Sequence, residues 1–115
     1  MVSPHRGDIV WVNLDPTIGS EIRKKRPAIV VSNDAANKRY YQVTVVPLTS
    51  QKLDQIEPFQ VLIDQDESGL SKDSKVLAEQ IRTVSKLRLG SKTGHLTQEV
   101  MDKIESALKI HLDLK

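Results

Sequence analysis

A small, mostly antiparallel β-barrel closed by one C-terminal helix is the fold this sequence predicts. Three observations carry it. Apolar residues fall in short β-branched runs separated by turn formers up to about Val84, which is strand patterning. The apolar period then becomes helical after Thr97. With 115 residues and no linker, repeat or low-complexity tract, the chain forms one domain, residues 1–115.

The first run is Ile9-Val10-Trp11-Val12, continued by Asn13 and Leu14 and stopped at Asp15-Pro16, because proline cannot donate to a ladder. Ala28-Ile29-Val30-Val31 follows and ends at Ser32-Asn33-Asp34. Val43-Thr44-Val45-Val46 is the third, with Pro47 as its expected end. Phe59, Val61 and Ile63 alternate with Gln60, Leu62 and Asp64, the pattern of a half-buried strand. Val76-Leu77-Ala78 and Ile81 to Val84 complete the set. Several runs are apolar on both faces. One face fills a barrel interior and the other must meet a helix or a second subunit. One helix is too short to cover them all, so a two-fold dimer burying on the order of 2,000 Å² is expected. From Gln98 to Leu114, Met101, Ile104, Leu108 and Leu112 form a helical stripe, with Thr97 as N-cap and Glu99 in the first turn. Trp11 and Phe59 read as core; Tyr40 and Tyr41 read as base-stacking or rim residues.

Composition excludes several function classes. There is no cysteine, hence no disulfide, thiolate metal site or thiol nucleophile. The net charge is +2, so an anionic partner must be met by a local patch rather than a global field. No apolar run approaches the roughly 20 residues of a membrane span. The opening MVSPHRGD lacks the apolar stretch of a signal peptide, which places the chain in the cytoplasm, away from membranes.

Familiar site motifs fail on inspection. Gly90-Ser91-Lys92-Thr93-Gly94 lacks the spacing of a phosphate loop. Asp64 to Gly69 opens like a calcium loop, but Lys75 stands where a bidentate Glu is needed, so it reads as an acidic surface turn. His5, His95 and His111 could supply an acid–base pair, yet no spacing brings two together. No metal or cofactor is expected. The most distinctive feature is Arg23-Lys24-Lys25-Arg26, placed in the loop between the first two strands. It is either a solvated charge run or a phosphate contact for single-stranded nucleic acid.

Five segments in order resemble the MazF/PemK family of toxin endoribonucleases. They are Arg6-Gly7-Asp8-Ile9-Val10-Trp11, Leu14-Asp15-Pro16 with Gly19-Ser20-Glu21, Arg26-Pro27 with Val30-Val31, Pro47-Leu48-Thr49-Ser50, and Glu79-Gln80-Ile81-Arg82-Thr83. The resemblance implies an SH3-like barrel of the CcdB/MazF/Kid type and a homodimer. It further implies metal-independent cleavage of single-stranded RNA to 2′,3′-cyclic phosphate and 5′-hydroxyl ends, and inhibition by a MazE-like antitoxin. Arg26 and Thr49 match the family's catalytic arginine and threonine. A guanidinium suits charge stabilisation on a phosphorane-like transition state, and a threonine hydroxyl can donate to the same phosphate. The group that takes the 2′-proton is left open by the resemblance: Glu21 and Glu79 are the carboxylates in matched motifs, and Glu21 is counted with the catalytic residues. Ser50, Gln80 and Glu79 are expected to hold RNA, with Lys24 and Lys25 on the loop bordering it. In the plasmid Kid/PemK branch an Arg and an Asp two residues apart act as acid and base. Leu77 and Glu79 stand there instead, which favours the chromosomal MazF-like arrangement. A CcdB-like gyrase-binding toxin and a non-catalytic SH3-like module are the alternatives.

Overall fold

The computed structural model describes residues 3–22 and 24–115. Among the described residues, seven strands form one antiparallel system in the order β4-β5-β3-β2-β1-β7, with β6 also on β3. They are β1 (Asp8–Asn13), β2 (Lys25–Val30), β3 (Gln42–Thr49), β4 (Gln60–Ile63), β5 (Ser74–Leu77), β6 (Arg82–Ser85) and β7 (Leu89–His95). Among the described residues there are three α-helices: α1 (Asp34–Arg39) and α2 (Gln65–Ser68) between strands, and α3 (Gln98–His111) after the last strand. Single 3-10 turns, Ala78–Gln80 and Lys86–Arg88, flank β6.

Strand β3 is the spine. One edge pairs with β2, Ala28 opposite Pro47 and Val30 opposite Val45. The other edge pairs first with β6 through residues 42–45, then with β5 through Leu48 and Thr49. Pro47 therefore does not end the strand as the sequence led us to expect. It sits between two partners on that edge, where its missing N–H removes no ladder bond.

The doubly apolar runs are resolved within one chain. Val10, Val12, Ala28, Val30, Val43, Val45 and Val84 turn inward to one cluster, enclosed by the curl of β1, β2, β3 and β6. Their neighbours Ile9, Ile29, Val31, Val46 and Leu48 turn the other way, under Val100, Met101, Ile104 and Ala107 of α3. The expectation that one helix leaves core uncovered, and so forces a dimer, is not upheld. Thr97 caps α3 by accepting from the Val100 N–H at 3.3 Å. The stripe holds at Met101 and Ile104, weakens at the partly buried Leu108, and ends there; Leu112 is the exposed C-cap residue.

Three elements are absent from the sequence reading. Helix α1 follows the Asn33 cap, and α2 is a capping box of Asp64 and Glu67 closed by Gly69, so the acidic turn is a helix start. Strand β7 contains Gly90-Ser91-Lys92-Thr93-Gly94 and is held to β1 by backbone pairing with two register shifts, not by apolar alternation. Trp11, read as core, is 37% exposed.

The Arg6-Gly7-Asp8 segment is architectural. Arg6 donates to the Val31 carbonyl and pairs with Glu105 of α3 at 3.0 Å. Gly7 has φ +95°, and a Cβ there would lie 3.1 Å from the His95 ring. Asp8 is buried and accepts from the His5 N–H and from His95 Nδ1, each at 2.8 Å, with Lys92 Nζ at 3.1 Å. Burial alone would raise its pKa. The His5 amide, the His95 ring and the Lys92 ammonium outweigh that and hold it below 3.8. A depressed folded pKa stabilises the fold above the unfolded value and is lost as pH falls through the folded one. Asp8→Asn should cost about 2 kcal/mol at pH 7. The gap between variant and wild type in denaturant midpoint should narrow only below pH 3.8. Gly69 has φ +74° and would set a Cβ 2.7 Å from the Thr93 carbonyl oxygen. Gly69→Ala should therefore cost about 1–3 kcal/mol, read as a lowered melting temperature.

Candidate active site

Arg26 and Thr49 stand at the same end of the β2–β3 pair. Ala28 lies opposite Pro47, so continuing two residues sets Arg26 across from Thr49. Strand alternation puts Arg26 on the face of Ala28 and Val30, and Thr49 on that of Val45 and Pro47, which is the same face. Both line one hollow of about 220 Å³ at this strand end, which residues of both faces border: Ser50 and Lys72 join them, with Trp11, Lys25 and Leu48 from the opposite face. Three cations and no carboxylate border it, a setting for a phosphate. Arg26 is partly buried at the strand end, which restrains its stem while leaving the hollow open. Thr49 Oγ1 accepts from the Gln51 N–H at 3.2 Å, which leaves its own hydrogen to donate.

A second hollow of about 550 Å³ holds Glu21, Glu79, Gln80 and Arg82. Pro47 lines it while Leu48 and Thr49 line the first, so the two adjoin along β3. Glu21 Oε1 accepts from the Ile18 N–H at 2.7 Å, bracing its own turn. Gln80 Oε1 accepts from the Ile22 N–H at 3.4 Å. Glu79 Oε2 accepts from Gln60 Nε2 at 2.7 Å, while Glu79 Oε1 is buried without a hydrogen-bond partner among the described residues. The predicted site residues thus divide. Arg26, Thr49, Ser50 and Lys25 share the cationic hollow; Glu21, Glu79 and Gln80 share the larger one.

The basic run is not all loop. Lys25 and Arg26 open β2, Lys24 is exposed with φ +68°, and Arg23 lies outside the described residues. The Lys24 N–H donates to Asp15 Oδ1 at 3.1 Å, and its carbonyl accepts from the Leu14 N–H at 3.0 Å. Arg82 and Arg88 fix the same loop by donating to the Leu14 and Asn13 carbonyls.

Trp11 and Lys72 are residues that pattern reading did not place in the site. Trp11 has a signal in hindsight. It is a large apolar side chain on the Ile9 face that stays outside the core cluster beneath α3. Lys72 has none, because it arrives on the turn before β5. Tyr40 and Tyr41 are exposed before β3, about 25 Å along that strand from Thr49, too far to stack on a base in this hollow. Among the described residues, no three His, Asp or Glu side chains are grouped so as to hold a metal ion.

A profile for the PemK-like, MazF-like toxins of type II toxin–antitoxin systems matches residues 5–112. The chain belongs to this family. It is 44% identical over 114 residues to endoribonuclease MazF9 of Mycobacterium tuberculosis, covering 95% of this chain and 96% of that protein. It is 41% identical over 109 residues to endoribonuclease EndoA of Bacillus subtilis, covering 95% and 94%. The fold matches that of an endoribonuclease solved in complex with its cognate antitoxin from a Mycobacterial species. That match has a TM-score of 0.81 at 29% identity over 98% of both chains. The mainly antiparallel β architecture with its terminal helix is thus the MazF-like fold.

Proposed function

We propose that this MazF-family toxin is an endoribonuclease that cuts single-stranded RNA without a metal, at the hollow shared by Arg26 and Thr49. The observation that carries the reading is that Arg26 and Thr49 line one hollow together with Lys25 and Lys72 and no carboxylate. The substrate's own 2′-hydroxyl attacks the adjacent phosphorus. The 5′-oxygen leaves with a proton from water, so the products carry a 2′,3′-cyclic phosphate and a 5′-hydroxyl. Arg26 neutralises the charge that builds on the phosphorane oxygens, and the Thr49 hydroxyl donates to one of them. Because the nucleophile belongs to the substrate and the charge is met by Arg26, the step requires no metal ion. Glu21 takes the 2′-proton. It is solvent-exposed and lies on the loop that leads into Arg26, whereas Glu79 is held by Gln60. Ser50 holds RNA beside the scissile phosphate, and Gln80 and Glu79 receive a base in the larger hollow.

An antitoxin partner follows from the relative solved with one. A homodimer belongs to the same reading. Its support is the exposed apolar pair Ile110 and Leu62, which line one shallow hollow, with Leu112 and Leu114 also exposed, rather than an uncovered core. No helix among the described residues is long and apolar enough to cross a membrane. The cytoplasm is the compartment where RNA and antitoxin would both be met.

Incubation of a mixed RNA substrate in EDTA should leave cleavage unchanged. Arg26→Ala should lower the rate by about 10²–10³, and undiminished cleavage by that variant would remove the mechanism. Neutralising Lys24 and Lys25 together should shrink the slope of log affinity against log salt by about 0.7 for each lost phosphate contact. An unchanged slope would return both to solvent.

A further inference from the structure

Lys75 is a lysine in the interior. It is 6% exposed, in the middle of the fully buried strand β5. Its ammonium donates to two backbone carbonyls of the β3–β4 loop, Lys52 at 3.0 Å and Gln55 at 2.7 Å. In the sequence Lys75 stands where a calcium loop would need a glutamate, and the proposed reaction does not use it.

Its position gives the contact a meaning. Lys75 stands directly opposite Thr49 in the β3–β5 register and opposite Leu62 in β4. The pinned loop begins at Ser50, in the wall of the cationic hollow, and returns to β4 at Gln60, which grips Glu79 in the adjoining hollow. Between those ends the loop has little ladder pairing of its own. Gln51 N–H reaches Thr49 Oγ1, and Gln55 N–H reaches the Lys52 carbonyl at 3.1 Å. The turn is also strained, because Lys52 has φ +53°, a left-handed conformation that costs a non-glycine residue about 1–2 kcal/mol. A buried ammonium must find acceptors, and these carbonyls lose their cation if the turn moves. The loop and the lysine therefore lock each other.

We infer that Lys75 is a specificity-setting positioning residue: it fixes the β3–β4 loop beside Thr49 in the one conformation that presents its polar groups to the bases flanking the cut. Base readout of single-stranded RNA depends on donors and acceptors held in fixed directions, which a ten-residue loop without a pin does not supply. The inference rests on the RNA-cleaving reading above. Lys75 touches no substrate and acts through the loop.

The test uses Lys75→Met, which keeps the length and bulk of the stem and removes the donors, with far-UV circular dichroism to establish folding. Two readings are taken on wild type and variant. The first is amide hydrogen exchange of residues 51–56. The second is kcat and KM on a short RNA carrying the wild-type cleavage sequence and on its single-base variants. Lys75→Met should speed exchange in 51–56 by about tenfold or more while β1–β3 stay protected. It should cut the preference for the cognate RNA about tenfold, through KM more than kcat. Lys75→Gln, which retains one donor for one carbonyl, should fall between wild type and Lys75→Met, and carries the test if the Met variant does not fold. Faster exchange with undiminished preference would reduce Lys75 to a structural side chain and overturn the inference. Unchanged exchange would overturn it as well. If wild type cuts no RNA, the nuclease reading fails separately, and the specificity role falls with it even if exchange still reports the pin.

Discussion

The register between β2 and β3 is the constraint on which the rest depends. Ala28 opposite Pro47 places valines on both faces of the spine and brings Arg26 and Thr49 to the same end of the same face. A slip of one residue would turn Arg26 to the opposite face and Val30 out of its cluster. Burial of the two apolar clusters therefore specifies the site's geometry. Much of the energy that sets the register comes from Val30, Val45 and the rest of their cluster, none of which lines the hollow.

A second theme is the use of basic side chains against backbone carbonyls. Arg6 binds the Val31 carbonyl, Arg82 that of Leu14, Arg88 that of Asn13, Lys86 that of Asn37, and Lys75 those of Lys52 and Gln55. Loops in a chain this small have few ladder partners, and a long cationic side chain satisfies a carbonyl without a further strand. Behind the net charge of +2, one set of basic residues organises loops and another, Lys25, Arg26 and Lys72, borders one hollow with no carboxylate in its lining. A nearly neutral chain can in this way present a local cationic hollow.

Much of the fold was legible because it is written in apolar alternation. The runs at Ile9, Ala28, Val43 and Val61 all became strands, and the stripe after Thr97 became α3. What stayed hidden was held by backbone rather than by side chains. Strand β7 carries Gly90, Ser91, Thr93 and Gly94 and pairs with β1 through bulges, so no hydrophobic period announces it. Pro47 misled for the converse reason: its normal effect vanishes where one edge changes partner. At the site, the chemical types were readable but their grouping was not. Arg26 and Thr49 share a hollow because of pairing between strands far apart in sequence, while Glu21 turned out to face the neighbouring one. Trp11 belongs to an apolar run and so reads as core, yet it stays outside both buried clusters. Lys75 carried no pattern at all, since a lone lysine in a sequence gives no sign of being buried.

The most direct test is a crystal structure with a short cognate RNA in which the nucleotide before the cut lacks its 2′-hydroxyl. The nucleophile is then missing and the substrate stays whole. The scissile phosphate should lie in the smaller hollow, within hydrogen-bond distance of both the Arg26 guanidinium and Thr49 Oγ1, about 3 Å from each. A scissile phosphate seated beside Glu79 and Gln80 instead, out of reach of Arg26, would contradict the assignment of this strand end as the place of cleavage.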